Sequence, residues 1–363
     1  MSKSSTSPAY ATPPGDTLLE TINALGMSQV ELESRTGINK KTINRIIKGK
    51  EPITQKTALA FEKVLKVPAH FWLNMDNRYR QHLARQAEVA AMSAHTEWGK
   101  LFPYAQMAKA GFVPAATAAG VKVAALLKFF GVSHPDGWQQ MYGYMDTELS
   151  YRRTANATDK LGALSAWLRQ GEIQADAMVC AEFNELDFMQ ALKKIRTFTT
   201  EEPKVFLPKM KTLCAEVGVV YLLVQELPGI GISGVMRWYR GKPVIQQSLL
   251  FKSNDHFWFT FFHEAKHVLQ KRKKDIFLEG LNAEHEDKKR EEEANGFSGN
   301  LLIPDVEWQR FVAEKTECGS SAIRTFANRI KIHPGIVAGR MMREKRLKYS
   351  HPARNLITKF VWE

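Results

Sequence analysis

His263, Glu264 and His267 form an HExxH motif within the apolar run that starts at Phe257, and residues of these types at this spacing can both hold a metal and supply a base. On a helix, residues four apart lie nearly over one another, so both imidazoles leave one face with Glu264 beside them. A catalytic zinc takes three protein ligands and keeps one position for water. The third ligand must come from elsewhere in the chain, and Glu291-Glu292-Glu293-Ala294-Asn295 is the best source. If that segment is helical, Ala294, Phe297, Ser298 and Leu301 form its buried stripe, with Glu291 one turn before Asn295. Glu291 is then placed to bind the ion while Asn295 braces a histidine from behind. A divalent cation held there would acidify water and polarise a carbonyl, with Glu264 as general base, so the expected chemistry is amide hydrolysis. Taken singly, two histidines on an apolar helix can be core residues, and an acidic triplet can be a solvated helix start favoured by the macrodipole. Their order and spacing together favour the metal.

The elements that must position these groups are legible as changes of period. Gly218 to Gln225, Ile230 to Tyr239 and Val244 to Phe251 are short β-branched or aromatic segments separated by Pro228-Gly229 and Arg240-Gly241-Lys242. They read as a small antiparallel sheet, with Val244 to Ser248 the edge along which an extended peptide would lie. The HExxH helix follows, entered through Ser253-Asn254-Asp255, any of which can cap it. Upstream, Gln81 to about Arg196 is Ala-rich and amphipathic with Gly and Pro breaks, hence mostly helical, and Trp138 and Trp167 read as core. The fold class expected is α+β, predominantly helical.

Met27 to Ile47 fits a helix-turn-helix. Gly37 supplies the tight turn, and Ile38, Ile43, Ile46 and Ile47 the packing between its helices. The second helix exposes Asn39, Lys40, Lys41, Asn44, Arg45 and Lys48, side chains suited to base edges and phosphates of a double-stranded operator. From Asp16 to Arg80 eleven Lys and Arg stand against seven Asp and Glu, a net of +4 concentrated after the turn. A helical protein-binding module with a basic face is the alternative. A second helix-turn-helix spacing, Ile323, Phe326, Ala327, Ile330, Ile332, Val337 and Arg340, lies in the most basic segment, Ser320 to Glu363, where ten Lys and Arg meet two Glu for a net of +8. That segment is expected either to pack on the preceding domain or to contact DNA.

A chain of 363 residues and net charge +13 accommodates two or three domains and favours an acidic partner. Cys180, Cys214 and Cys318 are odd in number and far apart, which argues against a disulfide framework and fits a reducing cytoplasm. The most apolar stretch, Phe112 to Val132, is broken by Pro114, Lys122 and Lys128, so no membrane segment is expected. The division expected is a disordered arm over 1–15, a helix-turn-helix domain over 16–80, helical connecting residues 81–160, a metallopeptidase domain over 161–315 and a basic extension over 316–363.

Leu25 to Leu32, Thr36-Gly37-Ile38, Thr42 to Gly49, Pro52-Ile53-Thr54 and Phe71-Trp72-Leu73 resemble the HigA-like antitoxin branch of the Cro/repressor-type helix-turn-helix family. Glu33 departs from it, standing where that family usually packs a small Ala. Gly218-Val219-Val220, Ile232-Ser233-Gly234, Asp255 to Glu264, His267, Glu291, Ala294-Asn295, Phe297 and Leu301 to Pro304 resemble the ImmA/IrrE family of zinc metallopeptidases, from about Leu161 onward. The resemblance implies a gluzincin-like site with Zn2+ on His263, His267 and Glu291, Glu264 as base, and Glu292 and Glu293 as fallback ligands. Lys266 replaces the usual small residue before the second histidine, and Ser298-Gly299 the usual Ala pair. The resemblance also implies a repressor or antitoxin-like regulator as protein substrate, cleaved in trans or in the same chain. The competing reading is a non-proteolytic antitoxin-like repressor with a structural, sensory or degenerate metal site; a DNA-cleaving metal hydrolase is weaker. A helix-turn-helix commonly reads one half-site, so a homodimer fits.

Overall fold

The computed structural model describes residues 11–143, 157–270, 277–278, 285–314 and 319–362. They divide into two units, residues 1–96 with 118–124, and residues 97–117 with 125–363. The fold is predominantly helical with one small mixed sheet. No helix among the described residues is long and apolar enough to cross a membrane.

The first unit is built from α1 (Pro14–Ala24), α2 (Gln29–Thr36), α3 (Lys40–Ile47), α4 (Gln55–Leu65) and α5 (Ala69–Met92). Ser28 caps α2 by accepting from the Glu31 amide, and Thr54 caps α4 by accepting from Thr57. Gly37, at φ 71°, ends α2 in the left-handed conformation that a side chain disfavours, which turns the chain into α3. Leu18, Leu32, Ile43, Ile46, Phe61 and Trp72 make the core, with Phe61 and Trp72 edge-to-face at 5.6 Å. Of the expected disordered arm, residues 1–10 lie outside the described residues, and Pro14 and Gly15 correct the expectation. They are buried in the first turn of α1, where Pro suits an amide that has no helical partner and only Gly fits against the Ile47 backbone.

In the second unit β1 (Val220–Leu223), β2 (Gly234–Tyr239), β3 (Lys242–Gln247) and β4 (Phe277–Leu278) form a sheet of order β1-β3-β2-β4. β2 and β3 form an antiparallel hairpin and β4 pairs with β2 antiparallel, but β1 pairs with β3 in parallel. The expectation of a wholly antiparallel sheet is corrected there. Residues 224–233 carry the chain across β3, a step of two strand spacings or about 10 Å, so that β2 enters on its far side. The same topology removes β3 as a peptide edge, because Val244–Gln247 already pair with β1 on one side and with β2 on the other.

Both faces of the sheet are buried, and alternation sorts the strands between two cores. Val220, Leu222, Val235 and Val244 face a layer that contains Phe130, Trp138, Leu164 and Trp167. Trp138 and Trp167 are thus core, and residues read as connecting helices pack together with residues beyond 160. On this face Arg237 donates to Glu172 at 2.9 Å and to the Leu168 carbonyl at 2.6 Å, while Arg169 pairs with the same carboxylate at 2.8 Å. Buried charge is tolerated here because it is paired and hydrogen-bonded. Tyr221, Met236 and Ile245 face the other core, which holds Phe257, Phe261, Ala265 and Val268 of the HExxH helix, Asn254–Leu269.

The two tail helices, Ser320–Ile330 and Pro334–Arg343, are joined through Lys331 at φ 58°. Ile323, Phe326, Ala327 and Val337 belong to the core of the HExxH helix, and the second tail helix buries Gly335, Ile336, Val337, Ala338, Met341 and Met342. A Cβ on Gly335 would come within 3 Å of the Asn254 side chain, and one on Gly339 would sit 2.2 Å from Asp255 Oδ2. These two glycines, four apart, make a bare seam that seats the tail on the first turn of the HExxH helix. Asn254 locks it further: its Oδ1 accepts from the Thr358 amide, its Nδ2 donates to His333 Nδ1, and its own amide donates to the Thr358 carbonyl. Ser253 occupies the cap position without a side-chain bond, so of the three candidate cap residues none acts as an ordinary cap. Gly339→Val should destabilise the second unit by about 1–3 kcal/mol through overpacking, read as a lowered thermal midpoint with the helix-turn-helix unit unaffected.

Candidate metal centre and DNA interface

The HExxH helix buries one face in the aromatic core and turns His263, Glu264 and His267 to another, where they remain only 1–4% exposed. The two Nε2 atoms lie 3.0 Å apart. Glu291, on the helix His285–Leu302, brings Oε2 to 3.3 Å from His263 Nε2 and Oε1 to 3.2 Å from His267 Nε2. Among the described residues these three side chains form a group that could hold a metal ion, all donor atoms within 4.8 Å of one another. A tetrahedral zinc with bonds of about 2.0–2.1 Å separates its ligands by ~3.3 Å. The donor types and spacings fit that ion.

The outer nitrogens decide the tautomers. His263 Nδ1 lies 3.1 Å from Asn295 Oδ1 and His267 Nδ1 lies 2.8 Å from Gln270 Oε1. An amide oxygen only accepts, so each Nδ1 carries the proton and each Nε2 presents its lone pair to the other and to Glu291. Gln270 is itself held, donating to Glu293 Oε2 at 3.2 Å and to the Arg290 carbonyl at 3.3 Å. Glu293 is thereby engaged away from the triad, and Glu292 is exposed. Burial pushes the Glu291 carboxyl up, but imidazoles that donate to it from Nε2 or carry positive charge pull it further down, to about 2, a role that a bound cation takes over once both Nε2 atoms present lone pairs. It is ionised throughout the neutral range. A carboxylate lowered in this way adds stability above its ordinary value of 4.5, lost as pH falls through about 2.

Glu264 lies against the start of β2. A Cβ on Gly234 would be 2.9 Å from Glu264 Cγ and 2.6 Å from Thr260 Cγ2, so glycine is what lets the strand backbone approach the carboxylate. Ala294 and Ser298 of the predicted stripe are buried and Phe297 and Leu301 half-buried, with Ser298 Oγ donating to the Phe259 carbonyl at 2.8 Å. Lys266 reaches Phe297 instead of the triad, its Nζ 5.6 Å from the ring centroid. Gln270 is the functional position that sequence reasoning missed. Its only signal was its place three residues after His267, on the same helical face.

In the first unit, Lys40, Lys41 and Arg45 are exposed on α3 and Lys48 at its carboxy-terminal cap, and Asn44 is half-buried. Asn39 is spent on the helix: its Oδ1 accepts from the Lys41 amide at 2.8 Å, while Glu33 Oε1 accepts from the Lys40 amide at 2.8 Å. The carboxylate that departs from the small-residue pattern thus caps α3 across the turn, where the macrodipole favours negative charge. Arg45 Nε donates to Glu51 at 2.8 Å on the exposed face.

A small α+β unit with an HExxH helix, following a compact helix-turn-helix unit, defines a metallopeptidase-like regulator. Residues 18–72 match the helix-turn-helix family model and residues 228–340 the IrrE N-terminal-like domain, so the chain fuses a Cro-type helix-turn-helix domain to an ImmA/IrrE-like domain. No match was found among curated proteins. Gln270→Ala and Asn295→Ala should each weaken zinc binding about 10–100-fold by releasing one imidazole, measured by competition with a chromophoric chelator.

Proposed function

We propose that this chain is a DNA-binding transcriptional regulator whose second unit is a zinc-dependent endopeptidase acting on a regulator protein, either a repressor or antitoxin-like partner or the chain itself. The convergence of two Nε2 lone pairs and the Glu291 carboxylate at 3.0–3.3 Å, with Glu264 one residue from His263, carries the reading. His263, His267 and Glu291 would hold the ion, and Asn295 and Gln270 would fix the rings. When bound, zinc supplies a Lewis acid that polarises a carbonyl and acidifies water. Glu264 takes the proton of the attacking water as the C–O bond forms and delivers it to the departing amine as the C–N bond breaks. The buried surroundings favour this, since charges act more strongly where water is excluded.

The α3 face would read an operator half-site through Lys40, Lys41, Asn44, Arg45 and Lys48, with two copies spanning a two-half-site operator. Asn39 is left out, because using it on a base would uncap α3.

The purified chain should bind one zinc, lost on His263→Ala or Glu291→Ala, and Glu264→Gln should keep the metal while abolishing cleavage of a defined peptide library read by mass spectrometry. Full cleavage by Glu264→Gln removes the proposed base; one retained zinc with no product under any condition favours the non-proteolytic repressor. Arg45→Ala should weaken operator binding by about 1–3 kcal/mol and relax preference at one base pair. An unchanged preference in a competition gel-shift assay would take Arg45 out of that role.

A further inference from the structure

A cavity of about 300 Å³ lies between the amino-terminal half of the HExxH helix and the second tail helix. Its walls include Phe259, Thr260, Leu302, Ile303, Ile336 and Ile357, with Ser233 at the side where β2 begins. Thr260 is four residues before Glu264, so the cavity begins about 6 Å along the helix from the proposed base. Gly234 touches both residues, and Phe259 lies beside His263 with ring centroids 6.2 Å apart. An extended chain advances about 3.3 Å per residue, so a peptide bond at Glu264 puts a neighbouring side chain over the cavity.

We infer that this cavity is the subsite for a bulky apolar side chain next to the scissile bond, and that the helix-turn-helix-like tail forms one of its walls. The inference rests on the peptidase reading above. The charges at the cavity are largely spent internally. Arg340 pairs with Asp305 at 3.3 Å and with Glu344 at 2.9 Å and donates to the Ile303 carbonyl, and Arg343 lies 4.2 Å over the Phe259 ring; Asp255 is the exception on this lining, with Oδ1 buried and outside any hydrogen bond among the described residues. What remains is mostly aliphatic and aromatic surface. The volume is at the small end of the range for ligand pockets, about 300–1,000 Å³, enough for one large side chain and too little for a folded segment. Phe251, 55% exposed and stacked on His256 at 4.2 Å, extends the apolar wall outward. The helix that would enter the major groove in a DNA-reading helix-turn-helix here buries its Gly335, Ile336, Val337, Ala338, Met341 and Met342 face, which is the face turned to the HExxH helix, while basic residues of the tail such as Arg324, Arg343 and Lys345 remain exposed.

The test uses two peptide hydroxamates that differ only in the side chain beside the zinc-binding group, isobutyl against methyl, titrated by calorimetry into the zinc-loaded full chain. The isobutyl compound should bind at least about tenfold more tightly, as expected for added methylene groups in an apolar pocket. Ile357→Trp, which fills the cavity from its half-buried side, should erase the preference by weakening only the isobutyl arm. Ile357→Ala should shift the preference toward a benzyl group, and serves if the Trp variant does not fold. Equal affinities, or a preference that survives both variants, would overturn the inference. Failure to take up zinc, or to bind either hydroxamate once loaded, would instead overturn the metal centre, and selective binding without hydrolysis of any peptide would overturn the peptidase and the subsite's place beside a scissile bond.

Discussion

Two imidazole lone pairs and a carboxylate held within 3.3 Å of one another, at nearly water-free histidines, are mutually repulsive unless positive charge sits among them. Much of the second unit serves to maintain that arrangement. Asn295 and Gln270 prevent the rings from relieving the repulsion by turning over, since each accepts the only proton its neighbouring imidazole carries. The carboxylate comes from a separate helix, whose position is set by Ala294 and Ser298 packing into the face of the HExxH helix. A cluster so arranged is pre-organised for a cation, and the cation in turn ties two helices together.

The HExxH helix is held on two sides by different means. Toward the sheet it packs rings, with Tyr221 and Phe261 edge-to-face at 5.3 Å and Gln247 donating to the Phe257 carbonyl at 2.8 Å. Toward the tail it meets glycine, which allows backbone and short polar side chains to approach. Both contacts are unforgiving of added volume. The combination leaves one stretch near the tail, beside Thr260, where the helices part into a cavity.

A departure from pattern was reconciled locally in both units. Glu33 enters a position usually held by a small residue and becomes a cap for the next helix. Lys266, beside the second histidine, lays its charge over Phe297 and so keeps it off the donor atoms. Each charged side chain found a partner within reach of its own stem.

The sequence by itself determined the helical periods, the HExxH face, the turn at Gly37, the acidic segment and the partition into core and surface, because these follow from spacing along one chain. Short β-branched and aromatic runs bounded by Pro228-Gly229 and Arg240-Gly241-Lys242 identified the strands. It did not determine that β1 joins β3 in parallel, or that β3 is therefore covered on both sides, because strand order depends on which edge a loop of ten residues reaches. Nor could it choose among three adjacent glutamates by chemistry alone: the phase of one helix against another places Glu291 at the histidines, sends Glu293 to Gln270 and leaves Glu292 exposed. The tail shows the same limit. Its helix-turn-helix spacing was plain, but that spacing serves packing and DNA reading equally, and only the contact of Gly335 and Gly339 with the HExxH helix decided which face is buried. Local order is encoded by neighbours in sequence, whereas the convergence of distant side chains is fixed by how whole elements pack.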